Sequence, residues 1–341
     1  MDISNRKLKI LSIIVQQYIE SGIPISSKSV CSDLDFPISS ATVRSEMSDL
    51  YRLGYLFQPH TSSGRIPSNK GYRLYINKFM SKKTMSAEEK NIIDGALYSH
   101  SDDPENLIEK ACQILSKMTN FISIFTTPPS SEAKVRNIQF VKTGKRNAMI
   151  VLMTTTGMIK NKLFRCQYDI SPELINVFSN LLNEKFQGKS LMSITPESVG
   201  MIADSNNSIS ILLSPIINAL IDASLEAQEV SIKMEGQTNL FSTPEIDIND
   251  TISLLNFLSN KNNILNIISS MDKNFCIKIG EENDHQELKK LSVIIRKYAI
   301  ADKFGSIILI GPTRMNYSNL VSKIDNVATS VENILNQILD I

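Results

Sequence analysis

The sequence lacks the short patterns that mark the common classes of enzyme. No GxxxxGK(S/T) phosphate loop, HExxH zinc motif or GxSxG nucleophile turn occurs in its 341 residues. Only three histidines are present, and His60, His100 and His285 are scattered along the chain. We therefore predict no catalytic residues, so the protein is not expected to be an enzyme, and no cofactor is expected.

Closely spaced cysteines are also missing. Cys31, Cys112, Cys166 and Cys276 lie far apart, and none of them belongs to a CxxC pair or to a Cys/His set with zinc-ligand spacing. We expect neither a disulfide framework nor a metal site. Small, buried thiols are the better interpretation.

Long hydrophobic runs are absent as well. The longest, at about residues 148–153, is far shorter than the roughly 20 residues that a membrane-spanning helix needs. The amino terminus carries Asp2, Arg6, Lys7 and Lys9 without the apolar core of a signal peptide. We therefore expect a cytoplasmic protein that does not enter a membrane. At 341 residues, two or three domains are expected.

Positive charge is concentrated towards the amino terminus. Residues 1–83 contain 12 Lys and Arg against 6 Asp and Glu, whereas the whole chain has a net charge of only +1. Neutralisation of phosphates by Lys and Arg supplies most of the non-specific affinity for DNA. The asymmetry is therefore what nucleic-acid binding at one end requires, although a solvated charged surface gives the same count.

A helix followed by a polar loop is predicted between residues 39 and 73. Val43, Met47 and Leu50 form an apolar stripe at helical spacing, and Ser39 or Ser40 caps the helix start. The opposite face carries short, polar or basic side chains: Ala41, Ser45, Ser48 and Arg52. A thin helix face of this kind suits a DNA groove about 12 Å wide.

The flanking segments supply the other parts of a DNA-binding module. An apolar helix over about residues 8–18 ends at Gly22, and a short helix capped by Ser26 or Ser27 runs to about Leu34. Residues 55–57 read as a strand, and residues 58–68 form a loop that contains Pro59, Gly64 and Pro67. The order helix, helix, turn, helix and wing predicts a winged helix-turn-helix.

The rest of the chain alternates between helical and extended patterns. Runs at 135–142, 148–154 and 158–165, separated by tight turns, predict an antiparallel meander. Helices are predicted from Ser86, over 104–119, from Ser171, over 209–234, over about 254–268, over about 284–298 and over 318–341. Strands are predicted at 275–279 and 306–310. Strands on both sides of a long apolar helix indicate an α+β domain interrupted by an insertion.

Motifs at both ends of the chain resemble one family. The runs SSATVRSEMSDL (39–50), QPHTSSGRIPS (58–68) and GYR (71–73) with Tyr75 resemble the amino-terminal domain of the HrcA heat-inducible transcription repressor family. IGEEN (279–283) and FGSIILIGPTRMNYS (304–318) resemble its carboxy-terminal signatures. Between about residues 187 and 235 the resemblance is only positional.

The resemblance implies an α+β multidomain protein in which a GAF-like domain with an antiparallel sheet carries a largely helical dimerisation insert. The expected division is a winged helix-turn-helix at 1–80, GAF-like parts at 86–187 and 245–341, and the insert at 188–244. In the insert, one apolar helix face is expected to contact a second copy: Ile209, Leu212, Ile216, Ile217 and Leu220. The pattern alone equally allows a core helix.

The leading hypothesis is a repressor that binds DNA as a homodimer. The predicted DNA-binding residues lie on the recognition helix, the wing and the flanking helices: Lys28, Ser39, Ser40, Thr42, Arg44, Ser45, His60, Thr61, Ser62, Ser63, Arg65 and Arg73. By resemblance, the operator is an inverted repeat of the CIRCE type upstream of chaperone genes. The resemblance also implies that the GroEL chaperonin keeps the repressor active until heat diverts it to unfolded clients.

Two other functions remain open at this point. The carboxy-terminal half is compatible with a small ligand, which would make the protein a metabolite-responsive regulator. A winged helix that serves only to dock protein or RNA is the third possibility. The GPTRM segment resembles a ligand-gripping loop. The simpler interpretation is a structural turn with Arg314 in an ion pair, for which Glu281 and Glu282 are the candidate partners.

Overall fold

The amino-terminal unit, residues 3–81, packs helices around a two-stranded hairpin. The computed structural model describes residues 3–60, 64–81, 84–99, 104–128, 133–203, 207–271, 273–300 and 303–338. The elements of this unit are α1 (Asn5–Ser21), α2 (Ser27–Ser32), α3 (Ser40–Arg52), β1 (Leu56–Phe57), β2 (Ile66–Pro67) and α4 (Asn69–Lys78). As predicted, α1 ends at Gly22, whose φ of 67° lies in the left-handed region that glycine tolerates.

The next segment begins the main sheet and then leaves it. α5 (Ala87–Tyr98) starts with the capping box of Ser86 and Glu89. α6 (Pro104–Thr119) and β3 (Ile122–Thr126) follow. β3 is fully buried and was not predicted. In a run of five residues without a regular polar alternation, the sequence pattern does not distinguish a strand from a turn of a buried helix.

A second unit is inserted after β3. Its elements are β4 (Val135–Lys142), β5 (Asn147–Thr154), β6 (Ile159–Arg165), α7 (Pro172–Phe186), α8 (Pro196–Ala203) and α9 (Asn207–Gln228). The three strands form the predicted antiparallel meander in the order β4-β5-β6. Ser171 caps α7, and Pro172 occupies the first turn, where its missing N–H costs nothing.

The chain then returns to complete the main sheet. The remaining elements are β7 (Ile232–Glu235), α10 (Ile248–Ser259), α11 (Lys261–Ser269), β8 (Phe275–Ile279), β9 (Leu291–Ile300), β10 (Lys303–Pro312) and α12 (Tyr317–Ile338). The five-stranded sheet has the order β7-β3-β10-β9-β8, with every pair antiparallel. We call β3, β7–β10, α5, α6 and α10–α12 the sheet unit.

Helices cover both faces of this sheet. Alternate strand residues point to opposite sides, so apolar side chains on both faces are buried by helices. On one face, Ile294, Ile307 and Leu309 pack with α6 and α12. On the other face, Ile295, Ile308 and Ile310 pack with α10 and α11. The protein is therefore a mixed α/β chain with antiparallel sheets. Within the described residues, no helix is long and apolar enough to cross a membrane.

Two predicted helices are wrong where strands form instead. Asp284 and Glu287 resemble a helix cap, yet only a short 3-10 turn (Gln286–Leu288) forms there and residues 291–300 are β9. The β-branched run Val293, Ile294 and Ile295 favours a strand and is buried between β8 and β10. The helix predicted to reach residue 234 ends at Gln228, because residues 232–235 pair with β3 as β7.

The inserted unit differs from the expected insert of residues 188–244. Side chains of the meander, including Ile138, Ile150 and Leu152, share one core cluster with Leu220 and Ala223 of α9. The predicted limit at residue 188 therefore falls inside a single packed unit, which extends from about residue 133 to 228. The meander was assigned to the first domain because sequence order does not show which helix covers a sheet.

The two ends of the inserted unit lie side by side. β3 pairs with β7, and the ladder continues where the Thr127 N–H donates to the Ser231 carbonyl oxygen at 3.0 Å. The Ser231 N–H donates in turn to the Thr127 side-chain oxygen at 2.9 Å. Because entry and exit are neighbouring strands, the insertion leaves the five-stranded sheet intact.

Candidate nucleic-acid interface

The third helix presents one face to solvent and packs the other into the amino-terminal unit. Val43, Met47 and Leu50 are buried, as predicted. The outward residues with exposed side chains are Ala41, Arg44, Ser45 and Arg52, and Ser48 is half-buried. The Ser39 hydroxyl caps the helix by accepting from the Thr42 N–H at 3.1 Å. The small, polar outer face is therefore accessible along most of the helix.

Ion pairs hold the inner side of α3 against α1. Glu46 is only 6% exposed, and its side chain accepts a hydrogen bond from Arg6 Nε at 2.8 Å. The ammonium of Lys7 lies 3.4 Å from Glu46 and 3.0 Å from Asp49. Hydrogen bonds from Lys7 and then Arg52 lower the pKa of Asp49, so this carboxylate stays ionised. These pairs fix the orientation of the exposed face.

Two cations that were predicted to bind DNA are exposed on this surface. Arg44 on α3 and Lys28 on α2 make no ion pair with any residue that the structure describes. Arg52, by contrast, pairs with Asp49 on its own helix. Positive charge that is not neutralised inside the chain is available for a phosphate or a base edge.

At the start of α3, the hydroxyls of several residues that were predicted to bind DNA lie close together. The Ser39 and Thr42 hydroxyl oxygens are 2.8 Å apart, and the Ser27 and Ser40 hydroxyl oxygens are 3.2 Å apart. Ser40 is half-buried because this second contact links α2 to α3. Hydroxyls at a helix start lie near backbone N–H groups that favour an anion. This corner of the unit is therefore chemically suited to phosphate.

The hairpin holds Arg65 away from open solvent. The Arg65 backbone pairs with Ile25, with both N–H to oxygen distances at 2.9 Å, and its guanidinium lies 5.2 Å from the Tyr51 ring centre. Arg65 is half-buried, whereas His60 is exposed. The predicted wing residues Thr61, Ser62 and Ser63 lie outside the described residues.

Arg73 lies at a junction between two units instead of on the α3 surface. Its Nε donates to Glu282 at 2.8 Å, and its guanidinium also donates to Glu282 and to the Ile277 carbonyl oxygen. Burial opposes ionisation of Glu282, but hydrogen bonds from Arg73 and the Ile279 N–H lower the pKa of this carboxyl below its usual value. We therefore leave Arg73 out of the proposed DNA contacts.

The IGEEN segment forms much of that junction. A Cβ at Gly280 would lie 1.9 Å from the side-chain Nδ2 of Asn69. Only glycine therefore lets α4 approach this closely. The Asn283 side-chain amide is buried and donates to the Gly280, Leu288 and Leu291 carbonyl oxygens at 2.9 to 3.1 Å. This role was not predicted from the sequence, because Asn69 and Arg73 lie more than 200 positions before Gly280 and Glu282.

Arg314 forms a second contact between the same units. Its Nε donates to Glu245 at 2.6 Å, and its Nη1 donates to the Ile19 carbonyl oxygen at 3.1 Å, near the end of α1. The predicted ion pair of Arg314 is confirmed, but Glu281 and Glu282 are not its partners. The Arg314 side chain thus connects α1 to the segment that follows the inserted unit.

The predicted dimer face of α9 is mostly interior. Ile216 and Leu220 are 3% and 0% exposed within the chain, and Ile217 is half-buried against the same cluster. Ile216 and Leu220 pack on the meander and are not available to a second copy in this fold, whereas part of the Ile217 side chain stays exposed. The side chains of Ile209 and Leu212 lie outside the described part of α9.

The opposite side of the meander carries exposed apolar residues instead. β6 is exposed along its length on alternate residues, and Leu163 is 71% exposed. Its neighbours on the same face, by strand register, are Val141, Met149, Val151, Met153 and Ile159. We call these six residues the outer meander face.

Comparison with known proteins identifies the family. The family model described as the HrcA protein C terminal domain matches residues 105–321. The heat-inducible transcription repressor HrcA of Clostridioides difficile strain 630 is 34% identical over 331 residues, covering 95% of this chain and 97% of the relative. The chain belongs to the HrcA family. It is therefore a transcription repressor of heat-shock genes and not an enzyme.

Other HrcA relatives give the same result. The heat-inducible transcription repressor HrcA of Clostridium perfringens strain 13 is 36% identical over 349 residues, covering 99% of both chains. A crystal structure described only as a hypothetical protein covers 99% of this chain and all of that chain with a TM-score of 0.73. At 22% identity, that likeness shows a shared fold.

Proposed function

We propose that residues 3–81 form a winged helix-turn-helix that inserts α3 into the major groove of an operator. The observation that carries this proposal is the outer face of α3, which is exposed, built of short side chains and fixed from beneath by the pairs of Glu46. Arg44 adds to that face a cation that makes no ion pair with any described residue. A rigid, slender and basic helix face is what major-groove recognition requires.

The proposed contacts divide by chemistry. Arg44 and Ser45 point outward along α3 and are assigned to base edges or close phosphates, whereas Ser39, Ser40 and Thr42 at the helix start are assigned to the backbone. Lys28 is assigned to a phosphate beside α2. The wing residues His60, Thr61, Ser62 and Ser63 are assigned to the neighbouring groove. Arg65 is assigned a supporting role, because its guanidinium packs on Tyr51.

We further propose that the repressor acts as a homodimer on an inverted repeat, with two copies paired through the outer meander face. Exposed apolar patches commonly mark interaction sites, and an apolar sheet face of this kind is unusual on a monomeric protein. A twofold arrangement of two copies matches the twofold symmetry of an inverted repeat. The interior position of Ile216 and Leu220 leaves this face as the better candidate in the inserted unit.

The GAF-like character of the sheet unit and the GroEL chaperonin as partner are proposed from family resemblance. A chain of several units loses its active state after a small change in the free energy of unfolding, which makes chaperone control physically reasonable. Footprinting on a chaperone-operon promoter, with and without chaperonin, tests this point. Protection of an inverted repeat that strengthens with chaperonin is expected, and protection that chaperonin leaves unchanged contradicts the partner assignment.

The DNA interface is tested by Arg44→Ala. We expect operator binding to weaken by about 1–3 kcal/mol, the usual effect of removing a side chain that contacts a base edge. The measurement is a fluorescence anisotropy titration at fixed salt with operator and with a scrambled duplex. Lys117→Ala, on the exposed side of α6, removes the same charge outside the interface and serves as the matched control.

The comparison of the two variants distinguishes the loss of a direct contact with DNA from the general effect of removing one positive charge. If Arg44→Ala and Lys117→Ala weaken binding equally, Arg44 is not in the interface. Because Arg44 makes no described internal ion pair, its replacement should leave the thermal midpoint unchanged.

A further inference from the structure

The five-stranded sheet extends beyond the helices that cover one of its faces. On the face that packs with α10 and α11, the apolar core ends, and a row of three residues follows across neighbouring strands. By strand register, Ser306 of β10 lies between Thr126 of β3 and Lys297 of β9. Phe304, two residues earlier on β10, faces the same side and is 48% exposed. This end of the sheet is therefore the floor of an open cavity.

The cavity has a volume of about 640 Å³. Its wall is apolar and comes mainly from α11, through Leu265, Ile268 and Met271. Volumes of about 300–1,000 Å³ with mostly apolar walls and a few polar groups are typical of small-ligand sites. The cavity is thus large enough for a small organic molecule.

The polar groups on the floor of the cavity can all donate hydrogen bonds. Thr126 and Ser306 supply hydroxyls, Lys297 supplies an ammonium group, and none of the described lining residues is acidic. Lys297 Nζ makes one weak hydrogen bond, to the Met271 carbonyl oxygen at 3.4 Å, so other protons of this ammonium remain to be donated. A neutral or cationic ligand would leave this positive charge without a partner.

The Ser306 hydroxyl is a second hydrogen-bonding group that is available to a ligand. Ser306 is only 3% exposed, and its backbone N–H donates to the Thr126 side-chain oxygen at 3.2 Å. Its own hydroxyl has no hydrogen-bond partner among the described residues, although it lines the cavity. This hydroxyl can therefore donate to a molecule that enters the cavity.

We propose that this cavity binds a small monocarboxylate with an apolar body. The carboxylate accepts from the Ser306 hydroxyl and from the Lys297 ammonium, which are cross-strand neighbours within reach of one anion. The apolar body lies against Phe304, Leu265 and Ile268. The site lies on the sheet unit, separate from the α3 surface, and does not depend on DNA binding.

The test is calorimetric titration of the full chain with hexanoate and with hexan-1-ol, which share the apolar body and differ in charge. Hexanoate is expected to bind saturably at one site per chain, at least about tenfold more tightly than hexan-1-ol, because charge-assisted hydrogen bonds are the stronger ones. Lys297→Met should weaken hexanoate about tenfold and leave hexan-1-ol unchanged. Lys117→Met, which removes a lysine charge from α6, is the control and should change neither.

Ser306→Ala keeps the proposal testable if the lysine variant does not fold. It should weaken hexanoate several-fold with little change in the thermal midpoint, because the lost hydroxyl has no described partner in the protein. Equal affinity for hexanoate and hexan-1-ol overturns the carboxylate assignment. Absence of saturable binding, or unchanged hexanoate affinity in both variants, overturns the site itself.

Discussion

At the scale of single residues, two buried tyrosines at the junction between the amino-terminal and sheet units differ in one respect. The rings of Tyr72 and Tyr317 are 6.0 Å apart, and burial raises the pKa of both phenols. The Tyr317 hydroxyl donates to the Thr313 carbonyl oxygen at 2.6 Å and lies 2.7 Å from the Ser292 hydroxyl. The Tyr72 hydroxyl has no hydrogen-bond partner among the described residues.

This difference predicts opposite effects of the same substitution. Tyr72→Phe removes an unpaired buried hydroxyl, so the free energy of unfolding should stay the same or rise by about 1 kcal/mol. Tyr317→Phe leaves the Ser292 hydroxyl without its partner, so it should lower that free energy by about 1–3 kcal/mol. Urea denaturation of both variants measures the two values. Equal destabilisation by both would show that the Tyr72 hydroxyl is hydrogen-bonded in solution.

At the scale of elements, the two apolar faces of the meander differ in how far they are buried within the chain. One face is covered by α9 within the chain. On the outer meander face, Val141, Ile159 and Leu163 are exposed, and the three residues of β5 are half-buried. Asn137, Gln139 and Asn161 lie among the apolar residues of the outer face by strand register. Polar residues within an apolar patch are compatible with a protein interface, which combines an apolar core with hydrogen-bonding groups.

The dimer proposal predicts the effect of placing charge on this face. Leu163→Asp should produce monomers with weakened operator binding, because an unpaired carboxylate would be buried between the two copies. Sedimentation velocity measures the oligomeric state. Ile92→Asp, at a 72% exposed apolar position on α5, is the matched control and should stay dimeric. A Leu163→Asp protein that remains dimeric would exclude the outer meander face.

At the scale of the whole molecule, the amino-terminal unit is packed onto the sheet unit. One hydrophobic cluster includes Leu11 and Leu50 of the first unit together with Ile279 and Tyr317 of the second. The Arg73 and Arg314 contacts flank this shared core. The position of α3 is therefore set by contacts with the sheet unit. In the dimer proposed above, a change in the sheet unit would alter the spacing of the two α3 helices.

The Arg73–Glu282 pair predicts a pH dependence of stability. The pKa of Glu282 lies below the ordinary value of 4.5, so its contribution is complete above that pH and is lost as the pH falls through the lower pKa of the folded protein. At neutral pH, Glu282→Gln should lower the free energy of unfolding by about 1 kcal/mol or less, because a third of the side chain is exposed.

The expected result is a stability difference that narrows with acidification. Urea denaturation of wild type and Glu282→Gln at neutral pH and at steps below the ordinary glutamate pKa measures it. Glu281→Gln is the control, since this neighbour is mostly exposed and lies 3.4 Å from Lys289. A difference that stays constant down to the acid limit would show that the charge of Glu282 does not stabilise the junction.

The local features of this fold were predictable from the sequence. Helix caps such as Ser39, Ser86 and Ser171 act within three residues, and the meander has short turns between regular runs. The strand β9 was not predicted, because Asp284 and Glu287 resemble a helix cap and the pairing of β9 with β8 and β10 is not visible in the local sequence. The partner of Arg73 was equally out of reach, since Glu282 lies 209 positions along the chain.

The sequence by itself determined the exposed and buried faces of α3, the excess of positive charge at one end and the family to which the chain belongs. Only the tertiary structure decided that Ile216 and Leu220 are interior while Leu163 is exposed, and that Arg73 serves a junction. The physical reason is that side-chain periodicity marks a face as apolar, but which element covers that face depends on contacts between distant parts of the chain.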